Sequence, residues 1–221
     1  NCSSSTYGDP ASGPITLARC RVIAHRCNHR VCEKVTHGLS TSGRRIDGLS
    51  ERRAMAAAIV GRDDVQTRLV ALRDDVAAGR GGALAITGAR GMGRTTLLDA
   101  VPHDEPVRAA TLTGVTAETG LPWAGLQRLC ASAGITADTE GDIASRGTAL
   151  HARLAEHGPV LCLVDDAHLL DTESLDVLAF VARRCERSPV GVVLTAASAT
   201  PAVDRLAGLD TAHLEPLTHD E

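Results

Sequence analysis

Aromatic side chains are almost missing from this chain: Tyr7, Trp123 and Phe180 are the only three in 221 residues. A core must therefore be built from Leu, Val, Ile and Ala, and no stacking platform for single-stranded nucleic acid exists. Lysine is scarcer still. Lys34 stands alone, and every other basic residue is arginine. No run of about 18 apolar residues occurs, so no segment is long and apolar enough to cross a bilayer as a helix. The opening residues lack the basic-then-apolar pattern of a secretory signal. A formal net charge of -4 gives no general pull toward nucleic acid. There is no internal repeat, and no Ser-His-Asp or Cys-His arrangement has a meaningful spacing. What is present is a globular balance, 43% hydrophobic and 23% charged. That length and balance suit one α/β domain with a sizeable core.

The chemistry concentrates in Gly88-Ala89-Arg90-Gly91-Met92-Gly93-Arg94-Thr95-Thr96, which follows the apolar run Ala83 to Thr87. The order is strand, glycine-rich turn, helix start. It matches the phosphate-binding P-loop G-x-x-x-x-G-K-[ST], except that Arg94 stands where the lysine belongs. Gly88, Gly91 and Gly93 let the backbone turn and approach a ligand. The turned N–H groups and the positive end of the next helix would hold phosphates, with Arg94, Thr95 and Thr96 beside them. The Thr95 hydroxyl is expected to ligate Mg²⁺. Arg94 keeps the charge of lysine, but its guanidinium is longer, planar and forked. It would crowd the loop or sit outside it, giving retained or weakened binding and slowed hydrolysis. In an arginine-rich, nearly lysine-free chain, drift from lysine to arginine explains the substitution equally well.

A second motif completes the first. Pro159 to Val164 is continuously apolar, as in a strand buried on both faces, and ends in Asp165-Asp166-Ala167-His168. A P-loop ATPase needs a carboxylate at the C-terminal edge of a neighbouring parallel strand. Asp165 is expected to hold Mg²⁺ through its water shell, and Asp166 to polarise the attacking water. An acidic pair also ends many ordinary core strands. A P-loop upstream at this separation favours a P-loop NTPase fold binding ATP and Mg²⁺.

These segments, with four others, resemble the N-terminal ATPase part of the large ATP-binding LuxR-type regulators, within the STAND class of AAA-like P-loop ATPases. The resemblance runs from about Ala58 to Glu221. Ile59-Val60-Gly61-Arg62 is similar to the entry motif. Glu118-Thr119-Gly120-Leu121-Pro122-Trp123-Ala124-Gly125-Leu126 is similar to the family's E-x-x-LPFAGL signature. Leu163 to Asp171 resembles its LVDDAHWLD segment, Ser174 to Arg184 the helix after it, and His213 to Leu217 the closing LEPL strand. The resemblance implies an ATP/ADP switch; self-association is a separate expectation. The resemblance places Arg62 near the adenine side. It also implies DNA contact only through a helix-turn-helix part that follows the ATPase core. That part is absent from this chain, which reads as a fragment or a truncated relative. Four positions depart from the pattern: Arg94; Val65 for the usual glutamate; Leu169 for tryptophan; and Ser198 where an arginine usually ends the sensor strand. Losing both lysine and sensor arginine removes two charges that would read the γ-phosphate.

Three functions stay open. One is an ATP-binding switch of a regulator with weak or no hydrolysis. Another is an active Mg²⁺-dependent ATPase in which Arg94 replaces lysine. The third is a docking domain that binds no nucleotide. A small-molecule kinase fits less well, given the acidic pair and the LPWAGL segment. His168 either orients a water or is a plain polar loop residue. Arg183 and Arg184 either reach a neighbour's nucleotide or form a solvated helix face.

Residues 1–54 read as a separate, basic and disordered tail, with nine Arg/Lys against four Asp/Glu and no sustained periodicity. Cys20, His25, Cys27, His29 and Cys32 match no strong zinc template. Met55 directly precedes the domain, and the expectation is that it is the true start, with residues 1–54 non-native. The P-loop domain is then 55–221. Cys130, Cys162 and Cys185 lie in apolar contexts and are expected to be buried free thiols of a cytoplasmic protein. Along the body, helices are expected at about 63–78, from Thr95, from Pro122, at 143–156 and after Asp171 as cap. Strands are expected at 83–87, 107–112, 159–164, 190–196 and 212–214. Such alternation implies a parallel sheet with helices on both faces.

Overall fold

The computed structural model describes residues 59, 61–138 and 140–217. The expectations for the tail, its cysteines and Met55 lie outside them. Helices and strands alternate except where α3 and α4 follow one another: α1 Asp63–Ala77, β1 Gly82–Gly88, α2 Arg94–Asp99, β2 Arg108–Thr113, α3 Ala124–Ala133, α4 Ile143–Glu156, β3 Val160–Asp165, α5 Thr172–Ala182, β4 Val190–Ala197, α6 Ala202–Arg205 and β5 Asp210–Leu214. The strands form one sheet in the order β2-β3-β4-β1-β5. Every pairing is parallel. The expected α/β parallel sheet is therefore present.

Strand side chains alternate between two faces, and both faces are apolar. On one side lie Leu84 and Ile86 of β1, Leu161 and Leu163 of β3 and Val193 of β4, packed with Val65, Leu69 and Val76 of α1 and Leu97 and Leu98 of α2. On the other lie Ala85, Cys162, Val164, Val192 and Leu194, packed with α3, α4 and α5 through Leu126, Leu129, Leu150, Leu154, Leu175 and Leu178. A strand covered on both faces has no polar positions to alternate with, which is why β3 is buried at every residue. Aliphatic side chains fill this core, as the shortage of aromatics requires.

One sequence expectation needs correction. The acidic strand β3 is not the neighbour of the loop strand β1. β4 pairs with both, through Ala85↔Leu194 on one side and Val164↔Leu194 on the other. The apolar patterns of β3 and β4 are interchangeable, so burial alone does not fix which lies next to β1.

Helix ends follow local chemistry. Asp171 caps α5 as expected, accepting from the Ser174 N–H at 2.9 Å. Asp142 caps α4, accepting from Ser145 N–H at 2.8 Å. α3 begins at Ala124, two residues after the expected Pro122. Trp123 before it takes φ 71, a left-handed value that is rare for a bulky residue. The same buried Asp171 holds it there: its two oxygens accept from Trp123 N–H at 2.8 Å and Gly125 N–H at 2.9 Å. One carboxylate thus fastens the starts of two helices.

Candidate functional site

β1 ends at Gly88, and the chain then turns over Ala89 to Gly93 into α2. Gly91 and Gly93 have φ of 83 and 84. No atom would meet a Cβ at either position. Glycine is required there by backbone conformation rather than by space. Gly93 is the N-cap of α2, and its carbonyl accepts from Leu97 N–H at 3.0 Å. Among the described residues, the N–H groups of Gly93, Arg94, Thr95 and Thr96 donate to no other group. These are the four donors every helix start leaves over, and here they border a cavity of about 530 Å³. Arg90 to Thr96 form one wall. Thr116, Asp166, His168, Leu169 and Ala197 form the rest. The volume is that of a small-molecule site.

The acidic end of β3 is held from three sides. Thr95 Oγ1 donates to Asp165 Oδ2 at 2.8 Å. Thr195 Oγ1, from β4, donates to Asp165 Oδ1 at 2.5 Å. The Asp166 N–H donates to Asp165 Oδ1 at 3.0 Å and to Thr195 Oγ1 at 2.9 Å. Asp166 itself has φ 46 and ψ 47, in the left-handed region. For a residue other than glycine that conformation costs energy and persists only where the surroundings impose it. The end of β2 supplies part of that constraint. Gly114 N–H donates to the Asp165 carbonyl at 2.8 Å, and a Cβ on Gly114 would lie 2.2 Å from the Asp166 carbonyl.

Arg94 lies inside the site, 8% exposed. Its Nη1 donates to the Gly88 carbonyl at 2.6 Å and its Nη2 to Asp166 Oδ1 at 3.1 Å. The forked guanidinium therefore ties the start of the loop to the second acid, a double reach that a lysine ammonium lacks. The Ser198 N–H donates to the same Gly88 carbonyl at 3.2 Å. His168 Nδ1 is 3.8 Å from Asp166 Oδ1, yet it also accepts from Ala197 N–H at 3.4 Å. An accepting Nδ1 carries no proton. Burial, the largest influence, holds His168 below its ordinary value. His168 is therefore a neutral ring near pH 7, and the contact with Asp166 is not an ion pair.

Of the residues singled out in the sequence, Gly91, Gly93, Arg94, Thr95, Thr96 and Asp166 line the cavity. Asp165 sits beneath them through Thr95, and Gly88 is joined through Arg94. Arg62 is not brought in. It does not line the cavity, and its Nη2 donates to the Glu215 carbonyl beyond β5 at 2.5 Å. Arg183 is spent on carbonyls of Ala179, Arg205 and Ala207. The Thr195 hydroxyl and Arg90 lie outside the residues that the motifs single out; the signal for Thr195 is a polar residue at the end of an apolar strand.

The donor set suits a hard divalent ion that arrives with its ligand. The Thr95 hydroxyl and Asp165 carboxylate are adjacent oxygens. No group of three His, Cys, Asp or Glu that could hold a metal is present among the described residues. Mg²⁺ bound here would draw most of its oxygens from phosphates and water, its usual habit.

The AAA ATPase domain family matches residues 58–194. No curated protein matches the chain. Among solved structures, Cdc6p from Pyrobaculum aerophilum is 15% identical over 73% of this chain and 47% of its own, with a TM-score of 0.51. Drosophila ORC bound to DNA is 17% identical over 84% and 52%, with a TM-score of 0.48. C. elegans PCH-2 is 16% identical over 71% and 43%, with a TM-score of 0.42. At such identities the likeness concerns the fold alone. The chain spans about half the length of the structures it matches.

Proposed function

This chain belongs to the AAA ATPase domain family, and from that premise we propose that it is the ATP-binding switch module of a LuxR-type transcriptional regulator, with weak or absent hydrolysis. Members of the family generally bind ATP with Mg²⁺. In this reading the free N–H groups from Gly93 to Thr96 hold the phosphates, and Thr95 with Asp165 positions the ion. The regulator assignment draws its support from the ordered segments of the sequence, Ile59 to Arg62, Glu118 to Leu126, Leu163 to Asp171 and His213 to Leu217. DNA contact would fall to a part that follows the ATPase core.

The observation that carries slow hydrolysis is the Arg94–Asp166 contact at 3.1 Å. An Asp166 oxygen that accepts from the guanidinium is occupied and turned from an attacking water. Ser198 brings no charge to the end of β4 to offset this. The test compares wild type with Arg94→Lys in ATP binding and in single-turnover phosphate release. We expect wild type to bind ATP and release phosphate slowly. Arg94→Lys should release it at least about tenfold faster, equivalent to about 1.4 kcal/mol off the barrier. Brisk wild-type turnover, or no gain in Arg94→Lys, contradicts the reading.

A further inference from the structure

Arg94 has a charge, but its two Nη groups are already committed to the Gly88 carbonyl and to Asp166, and its side chain is only 9% exposed. Its charge is balanced by that of Asp166 across one contact. A phosphate chain entering the cavity therefore meets a guanidinium that is turned away and paired. The loop carries a second arginine. Arg90 is exposed, lies in the wall of the cavity, and has no hydrogen-bond or ion-pair partner among the described residues. Arg90 shares the cavity lining with Asp166 and His168. The cavity thus holds one engaged cation and one unengaged one, both on the same loop.

Resting on the nucleotide-binding reading above, we propose that the two arginines divide the task of the missing lysine: Arg94 is the positioning residue that ties Gly88 to Asp166, and Arg90 is the side chain that contacts the phosphate chain of the nucleotide. Guanidinium suits this, because its planar fork offers parallel N–H donors to two phosphate oxygens. An exposed arginine also needs little reorganisation to swing onto a ligand, whereas releasing Arg94 would leave Asp166 unpaired. Beside the loop amides, the site gains a side-chain phosphate contact from a position where the P-loop pattern prescribes no residue.

The test uses the full chain and a fluorescent ATP analogue, displaced by unlabelled ATP and by inorganic tripolyphosphate. Wild type, Arg90→Ala and Arg90→Lys are compared, with the thermal melting of each. We expect Arg90→Ala to weaken ATP and tripolyphosphate alike, by about tenfold or more. Its melting temperature should stay at the wild-type value, and Arg90→Lys should recover part of the loss. Wild-type affinity in Arg90→Ala overturns the assignment, as does a parallel fall of affinity and melting temperature, which would mark a structural role. Tripolyphosphate failing to displace the analogue from wild type also overturns it. A wild type that binds no analogue at all removes the nucleotide reading itself. Wild type binding while Arg90→Ala is unchanged removes only this inference.

Discussion

Thr195 is the hydroxyl on which both acids depend. It donates to Asp165 and accepts from the Asp166 N–H, from a fully buried position on β4. Thr195→Val keeps the shape and removes both bonds. We expect a loss of about 1–3 kcal/mol in unfolding free energy, the cost of leaving buried polar groups short of a partner, measured by denaturant titration. The same variant should lose most of the tightening that Mg²⁺ gives to ATP binding. Two histidines set a pH dependence. His168 and His151 are both held below the ordinary 6.5, first by burial. The folded state then binds fewer protons than the unfolded state once the unfolded rings begin to charge. Stability from these rings is complete above about pH 6.5 and is lost on acidification. The melting temperature should fall between about pH 7 and about pH 5. The decline should be shallower in the His151→Gln/His168→Gln double variant, and an equal slope in both proteins would refute the attribution. Residue type and spacing made legible which residues gather at this cavity: Gly91, Gly93, Thr95 and Asp166 line it, and Asp165 is bonded to Thr95. They did not expose where Arg94 points. That is decided by an acceptor 72 residues away.

At the scale of elements, the buried Asp171 is the joint between the two halves of the far face. It accepts from Trp123, Gly125 and Ser174 N–H groups. Asp171→Ala should cost about 2–4 kcal/mol, as the loss of one cap plus further buried amide bonds. Hydrogen exchange should localise that loss to the start of α3 as well as to α5. Exchange changes confined to α5 would show that Asp171 is only a cap. Gly114→Ala places a methyl 2.2 Å from the Asp166 carbonyl. The left-handed turn at Asp166 must then shift, and nucleotide binding should weaken even though Gly114 does not line the cavity. Helix and strand positions were largely legible, since apolar period and caps are local. The bounds of α4 agree with the expected Ile143 to Glu156. The start of α3 was not legible, because a distant carboxylate holds Trp123 in a conformation its own sequence disfavours. The short α6 carries too few residues for any periodicity.

At the scale of the molecule, the order β2-β3-β4-β1-β5 decides what the site contains. With β4 between the loop strand and the acidic strand, its C-terminal end brings Thr195 onto Asp165 and Ala197 into the cavity wall. Sequence foretold the layers, since continuous apolar strands must be covered on both faces. It could not foretell the order, since β3 and β4 offer the same apolar surface to either neighbour. The buried thiols Cys130, Cys162 and Cys185 are free, as expected from their apolar settings. Burial pushes Cys162 up to about 12 and Cys185 to about 11, so neither supplies a thiolate near neutrality. No helix among the described residues is long and apolar enough to cross a membrane.

The central claim is that this sheet edge binds ATP through the Gly93–Thr96 amides, Thr95 and Asp165. Its most direct test is a titration of the full chain with a fluorescent ATP analogue, with and without Mg²⁺, repeated on Asp165→Asn. The account predicts saturable binding that ATP displaces and Mg²⁺ tightens, with the Mg²⁺ effect lost in Asp165→Asn. Absence of saturable binding, in a sample whose cooperative melting shows it to be folded, would contradict it.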